Sequence, residues 1–266
     1  MLTELQTPAT SAFGRPRRVT SGKNRSLDAL VDLFGPLLSP DDVCDQRVAE
    51  IGAESGDFSR ALLAAGVSRL IAVEPSDAFP ALVENLADEE FRVDCLNCNS
   101  EFLPADGDLD FVFAVGALHR MPRPRTALQA AFDALRPGGR IAIWLYGQEG
   151  WSFIFPLVKL ARAGARQLPS VLRIAMAWTL TLPVSAYVAF CRFLPLPLHE
   201  VSRHTMGPLS FAQRHRVIRD QLNAPYTKHY NEAEARQLLE GAGFCDIQAN
   251  HRLGYSWSLV GVKPPA

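Results

Sequence analysis

The sequence predicts an α/β fold. It should hold a mostly parallel sheet covered by helices on both faces, a C-terminal antiparallel strand pair and a helical, hydrophobic insertion. Three observations predict it. Strand-length apolar runs alternate with helix-period segments from Val48 to Tyr146. The alternation stops between Trp151 and about Gln221, where Leu, Ala, Pro and Arg dominate. It resumes at Asn231 with one helix and two strands joined by a short turn at Gly254. Strands joined so closely are antiparallel, because a parallel crossover takes roughly a dozen residues or more.

Each element has its own signal. Leu27–Leu38 reads as a short amphipathic helix that stops near Gly35-Pro36. Val48–Ile51 is a buried strand carrying Glu50 near its end. Gly52 and Gly56 then frame a tight turn into a helix from Asp57, whose apolar face is Phe58, Ala61, Leu62 and Ala65 and whose stop is Gly66. A strand, glycine loop and helix in that order offer backbone N–H groups to a nucleotide-like ligand. Arg69–Glu74 is a second strand, followed by a helix from Pro80 to about Ala87. Phe91–Asn97 and Asp110–Gly116 are the third and fourth strands. A helix over Arg125–Arg136 leads through the turn Pro137-Gly138-Gly139 to a fifth strand, Arg140–Tyr146. Asn231 and Glu234 form a capping-box pattern for the last helix, and strands Cys245–His251 and Tyr255–Val262 close the chain. The domain plan is a basic arm (1–26), a core (27–147), an insertion (148–222) and a C-terminal helix and strand pair (223–266) that completes the sheet.

With 266 residues, 48% hydrophobic and 21% charged, the chain can build one large core. Its charge is unevenly spread. Trp151–Arg219 holds nine Lys or Arg against the single acid Glu200, leaving 18 bases and 27 acids elsewhere. One surface is therefore expected to face something anionic. Ile174–Phe190 runs 17 residues without a charge, flanked by Arg173 and Arg192. That run is shorter than the roughly 20 apolar residues of a bilayer span, so it reads as a lid helix or an interfacial hairpin. Five scattered cysteines read as reduced thiols in a cytoplasmic protein, and Cys95-x-x-Cys98 lacks the second pair that a metal site needs. Residues 1–26 lack the apolar run of a signal peptide.

Five stretches together resemble class I S-adenosylmethionine-dependent methyltransferases, of the broad group that includes ubiquinone- and menaquinone-biosynthesis methyltransferases. They are Val48–Gly56, Val73-Glu74, Asn99–Pro104, Asp110–His119 and Leu135–Gly139. The resemblance implies a Rossmann-like, seven-stranded sheet and S-adenosyl-L-methionine as cofactor. It assigns Glu50 to the ammonium end of the cofactor, and the backbone of Gly52, Ala53 and Gly56 to close approach. Glu74 would take the ribose hydroxyls, and Asn99 and Ser100 the adenine; Val115, ending the fourth strand, belongs to the same set. No metal ligand set is implied. One departure stands out: Glu54 occupies the position of the family's central glycine. If φ is positive there, a Glu costs on the order of 1 kcal/mol or more.

Methyl transfer is an in-line displacement in which alignment and water exclusion matter most, with one proton to remove. His119, just after the fourth strand, is the candidate base. Tyr146, Trp151, His204, Tyr226 and His229 are candidates to line the acceptor pocket. The aromatic and basic insertion suits a small, lipid-like acceptor and peripheral association with an anionic membrane. No nucleic-acid partner is expected, because the basic residues are interleaved with aliphatic runs. Two other readings stay open: a catalytically silent accessory subunit, and a soluble enzyme acting on a sugar or other polar metabolite. The oligomeric state is not legible.

Overall fold

The structure, a computed structural model, describes residues 23–104, 106–149, 168–191, 209–223 and 226–265, with isolated positions between Leu160 and Gly207. The arm up to residue 22, Trp151 and His204 lie outside the described residues. The chain divides into two units, the larger holding residues 16–148, 226–252 and 256–266.

In the larger unit seven strands form one sheet in the order β3-β2-β1-β4-β5-β7-β6. The strands are β1 (Arg47–Ile51), β2 (Arg69–Val73), β3 (Val93–Leu96), β4 (Leu109–Val115), β5 (Leu135–Tyr146), β6 (Cys245–Arg252) and β7 (Ser256–Val262). The first five are parallel, and β7 runs antiparallel to both β5 and β6. This is the mixed, Rossmann-like seven-stranded sheet that the sequence predicts. The helices are α1 (Lys23–Phe34), α2 (Asp57–Ala64), α3 (Phe79–Leu86), α4 (Pro124–Ala134) and, near the C-terminus, one over Glu232–Glu240.

Side-chain alternation along the central strands explains the two covered faces. On β4, Val112 and Ala114 join Ile141 and Ile143 of β5 in the large core against α4. Phe111 and Phe113 point the other way, where Phe113 meets Phe34 of α1 edge-on at 5.7 Å and Phe58 of α2 at 5.5 Å. Burying such rings contributes roughly 2–3 kcal/mol each. The Pro137–Gly139 segment differs from the expected turn. β5 already pairs at Leu135 with Leu109, and the register then jumps to Arg140 against Phe111. Gly138 donates its amide to the Lys263 carbonyl and Lys263 returns one to Gly139, so β7 holds the segment as a bulge. The last helix starts as expected: Asn231 accepts from the Glu234 amide at 2.8 Å, and the Glu234 carboxylate accepts from the Asn231 amide at 3.2 Å.

The smaller unit is helical among its described residues. Its two long helices are α5 (Ser170–Phe190) and α6 (Phe211–Asn223), which makes Glu232–Glu240 α7. Trp178 of α5 stacks on His215 of α6 with centroids 3.9 Å apart, and buried Thr181 lies 3.4 Å from the same imidazole. Ala177, Thr181 and Val188 form the buried stripe of α5. The remaining faces are apolar and open, with Val171 73%, Leu182 64% and Phe190 59% exposed. By length and composition α5 is long and apolar enough to cross a membrane, yet only 17% of its most apolar stretch is buried. A helix that is apolar all round is normally covered by something.

Gly52→Ala should destabilise the chain by about 2–4 kcal/mol, because φ is +75° and the new Cβ would lie 2.6 Å from that of Ala117. Gly116→Ala, at φ +74° in open space, should cost only about 1 kcal/mol. Urea denaturation of both variants checks the contrast.

Candidate functional site

The carboxyl ends of β1, β2, β4 and β5 meet at one edge of the sheet. Three of the five residues after β1 adopt positive φ: Gly52 at 75°, Glu54 at 49° and Gly56 at 88°. The amides of Gly52 and Ala53 both donate to the Val73 carbonyl, at 2.9 and 3.0 Å, and the Gly56 amide donates to Ala53. The first two bonds fasten the loop to β2 and the third closes the loop on itself, so these amides are engaged within the chain, a correction to the reading that the loop offers them to a ligand. The reason for the glycines also changes. A side chain at Gly52 would strike Ala117, and one at Gly56 would crowd Leu82 at 3.1 Å. Internal packing already forbids them, whatever the ligand requires.

Carboxylates surround this loop. Glu50 is 2% exposed, on the opposite face of β1 from the core residues Ala49 and Ile51. Burial pushes its carboxyl up to about 8; the Ser59 hydroxyl, donating at 2.5 Å, opposes this, and the charges of Glu54, Glu74 and Asp57 add to it. Glu74, also buried, accepts the Glu54 amide on Oε2 and the Ser76 amide on Oε1, both at 2.8 Å. Both oxygens are thereby fixed, and each keeps acceptor capacity for a further donor. Such a set fits a ligand that carries a cationic group and neighbouring hydroxyls. Asn99 is exposed and its carbonyl accepts the Phe102 amide at 2.9 Å, heading the short turn Ser100–Phe102. Ser100 is buried there, 3.8 Å from the Met121 sulfur. Val115 is half-buried at the end of β4.

An aromatic group stands beyond β4 and β5. His119 sits in the turn Leu118–Arg120, 1% exposed, and neither ring nitrogen has a hydrogen-bond partner among the described residues. Burial holds its pKa well below the usual histidine value, with further lowering by the charges of Arg120 and His229. Its ring lies 4.4 Å from Tyr146 and 6.0 Å from Trp144, and Tyr146 stacks on His229 at 5.6 Å. Backbone bonds assemble this group: the Lys228 amide donates to His119 and the Tyr230 amide to Tyr146. The segment just before α7 is thus laced onto both strand ends.

Of the residues singled out from sequence, the structure brings His119, Tyr146 and His229 together. It places Glu50 and Glu74 on either side of the glycine loop. Tyr226 is 38% exposed on the segment that carries His229, near enough to Tyr230 to help push that phenol up to about 12, chiefly a burial effect. Sequence reasoning missed Trp144, Ser59 and Arg120. Trp144 was within reach, since it shares the β5 face with Tyr146 two positions on. Arg120 was not: it pairs with Glu54 at 3.2 Å across 66 positions of sequence.

Glu50 carries a pH signature. Its unfolded-state carboxyl titrates near 4.5 and the folded one near 8, so its contribution is complete below about pH 4.5 and lost as pH rises through 8. At about 1.4 kcal/mol per unit, the full effect is on the order of 5 kcal/mol. Glu50→Gln should stabilise the free chain at pH 8.5 and leave it unchanged at pH 4. Equal effects at both pH values in chemical denaturation would contradict this.

A family model described as a methyltransferase domain matches residues 49–143, from β1 into β5. Curated tRNA U34 carboxymethyltransferases share this similarity. That of Shewanella amazonensis is 31% identical over 115 residues, which are 42% of this chain and 34% of that protein. That of Cellvibrio japonicus is 30% identical over 113 residues, 40% of this chain and 35% of that protein. The chain spans about a third of the length of these relatives, whose names concern tRNA modification rather than the quinone group that the sequence pattern suggested. Among solved structures, the Burkholderia thailandensis 1,6-didemethyltoxoflavin-N1-methyltransferase with S-adenosylhomocysteine aligns at a TM-score of 0.50 and 17% identity, over 91% of this chain and 78% of that one. The Haemonchus contortus phosphoethanolamine N-methyltransferase 2 with S-adenosyl-L-methionine aligns at 0.53 and 15%, over 95% and 55%. Likeness at these identities is one of fold. Residues 49–143 thus match a methyltransferase domain, and the fold is the one seen in class I S-adenosylmethionine-dependent methyltransferases.

Proposed function

We propose that this chain methylates a small, lipid-like acceptor that it meets at an anionic membrane surface. The observation that carries this reading is α5, apolar around most of its circumference and open along it, within a segment of strongly basic balance. An interfacial helix of that composition gains both from burying its apolar side chains and from attraction to anionic headgroups.

The residues at the sheet edge have matching roles. S-adenosylmethionine, when bound, supplies an electrophilic methyl group on a sulfonium sulfur. Glu74 takes the ribose hydroxyls on its two fixed oxygens, and Glu50 takes the ammonium group, for which it must ionise. Asn99, Ser100, Val115 and the loop at Gly52, Ala53 and Gly56 accommodate the rest of the nucleoside. His119 is held neutral by burial and receives the proton of the acceptor as the new bond forms. Tyr146, Tyr226 and His229 contact the acceptor; Trp151 and His204 remain candidates for the same task.

A second reading has a specific observation behind it. The curated relatives are named for tRNA modification, and the basic balance of the insertion would serve a polynucleotide as well. The family match runs from β1 into β5, a part of the fold that serves many acceptors, so it does not choose between them. A silent accessory subunit remains the third reading, and turnover separates it from the others.

Incubation with S-adenosylmethionine labelled in the methyl group and with a lipid extract should place label in the organic phase. Label found only in added tRNA would overturn the lipid reading. The chain should sediment with phosphatidylglycerol-containing vesicles but not with pure phosphatidylcholine, and Leu172→Ser, Leu182→Ser and Phe190→Ser combined should weaken binding about tenfold or more. Indifference of the intact chain to anionic vesicles would refute peripheral association. Calorimetry in buffers of contrasting ionisation enthalpy should show release of nearly one proton when S-adenosylhomocysteine binds at pH 7, with affinity strengthening toward about pH 8. Proton-neutral binding would contradict the role given to Glu50.

A further inference from the structure

Glu54 has the least expected backbone in the cofactor loop. Its φ of 49° is a conformation that glycine adopts freely and a side chain resists. The strain is held from both ends. Its amide is fixed on the Glu74 carboxylate at 2.8 Å, and its own carboxylate reaches the Arg120 guanidinium at 3.2 Å. The two side chains are 30% and 24% exposed, so the pair is partly withdrawn from water. Arg120 ends the turn that carries His119. Within that turn the backbone bonds Arg120 to Ala117 and Met121 to Leu118 are local, and the Lys228 amide holds the His119 carbonyl from the segment before α7 at 2.8 Å. The glycine loop touches it at a second point as well, since Gly52 packs directly against Ala117.

We propose that Glu54 is a positioning residue: its ion pair with Arg120 ties the glycine loop to the turn of His119, so that a cofactor seated on the loop also sets that imidazole. The tie belongs to the free chain, and its consequence for methyl transfer rests on the function proposed above. Its role is geometric rather than stabilising, because an ion pair with this much exposure contributes little to folding. The same geometry accounts for a charged residue where glycine would be unstrained. A glycine would relax the loop and remove this tie, leaving the turn held by the Lys228 bond and the Ala117 contact.

The His119 ring offers a direct readout. It lies within 4.4 Å of Tyr146 and 6.0 Å of Trp144, so a displacement of a fraction of an ångström changes the ring-current shift of its Cε1 proton. In the full chain without cofactor, Glu54→Gln and Glu54→Gly should each move that resonance while the melting temperature stays within about 3 °C or rises, as a single ion pair still in contact with water predicts. Glu54→Gly is free of backbone strain, which guards against a variant that merely fails to fold. Exchanging the charges, Glu54→Arg with Arg120→Glu, should restore the wild-type position. S-adenosylhomocysteine should shift the resonance in the wild type and do so at most half as much in Glu54→Gln. An unmoved His119 resonance in both single variants would overturn the proposal. If the wild type ignores S-adenosylhomocysteine but Glu54→Gln still moves His119, the tie stands and the functional reading fails.

Discussion

The carboxyl end of β2 is the point on which the site depends. The Val73 carbonyl accepts two amides from the glycine loop, and Glu74 accepts a third from Glu54 and a fourth from Ser76. Three of these hydrogen bonds fix the loop to the strand that presents the acidic side chain, and the fourth orients that side chain from the residues just after it. Hydrogen bonds to a charged acceptor are the stronger kind, and leaving this carboxylate unpaired at its burial would be costly. Because the loop is held by its own chain, its shape does not wait for a ligand. That is preorganisation in structural terms: the acceptor oxygens are already in place.

Two chemically different halves follow from that anchor. On one side, Glu50, Glu54, Asp57 and Glu74 crowd together, and burial, with the repulsion of the other three carboxylates added, keeps Glu50 protonated to about pH 8. A cationic ligand reverses that balance, so a group that weakens the free chain at high pH becomes useful when the site fills. On the other side, His119, Trp144, Tyr146 and His229 form an aromatic group in which burial, with the charges of Arg120 and His229 added, disfavours a proton on the His119 imidazole. Arg120 stands where the halves join. Its charge is balanced by Glu54 on the acidic side and lowers the basicity of His119 on the other.

Much of the fold was legible because local patterns carried it. Phe111 and Phe113 against Val112 and Ala114 encode two covered faces, and Asn231 with Glu234 encodes a helix start that forms as written. What failed depended on partners distant in sequence. Pro137–Gly139 has the composition of a turn, but Lys263 and the pairing of Leu135 with Leu109 draw it into the sheet. Gly52 was legible as a glycine that must be a glycine, yet the reason, Ala117, lies on another strand end. Glu54 was legible as a departure with positive φ, while its compensation through Arg120 was invisible without the fold. The insertion was the least legible region: its charge and apolar content show in the composition, but the single buried stripe of α5 emerges only when α6 packs on it.

The central claim is that this anchored loop holds S-adenosylmethionine, with Glu74 taking the ribose. Calorimetric titration with S-adenosylhomocysteine, run on the wild type and on Glu74→Ala at pH 8, tests it most directly. The account predicts saturable one-to-one binding by the wild type, weakened at least about a hundredfold in the variant, since removing a buried charged acceptor costs about 3 kcal/mol. No heat of binding in the wild type, or equal affinity in both chains, would contradict it.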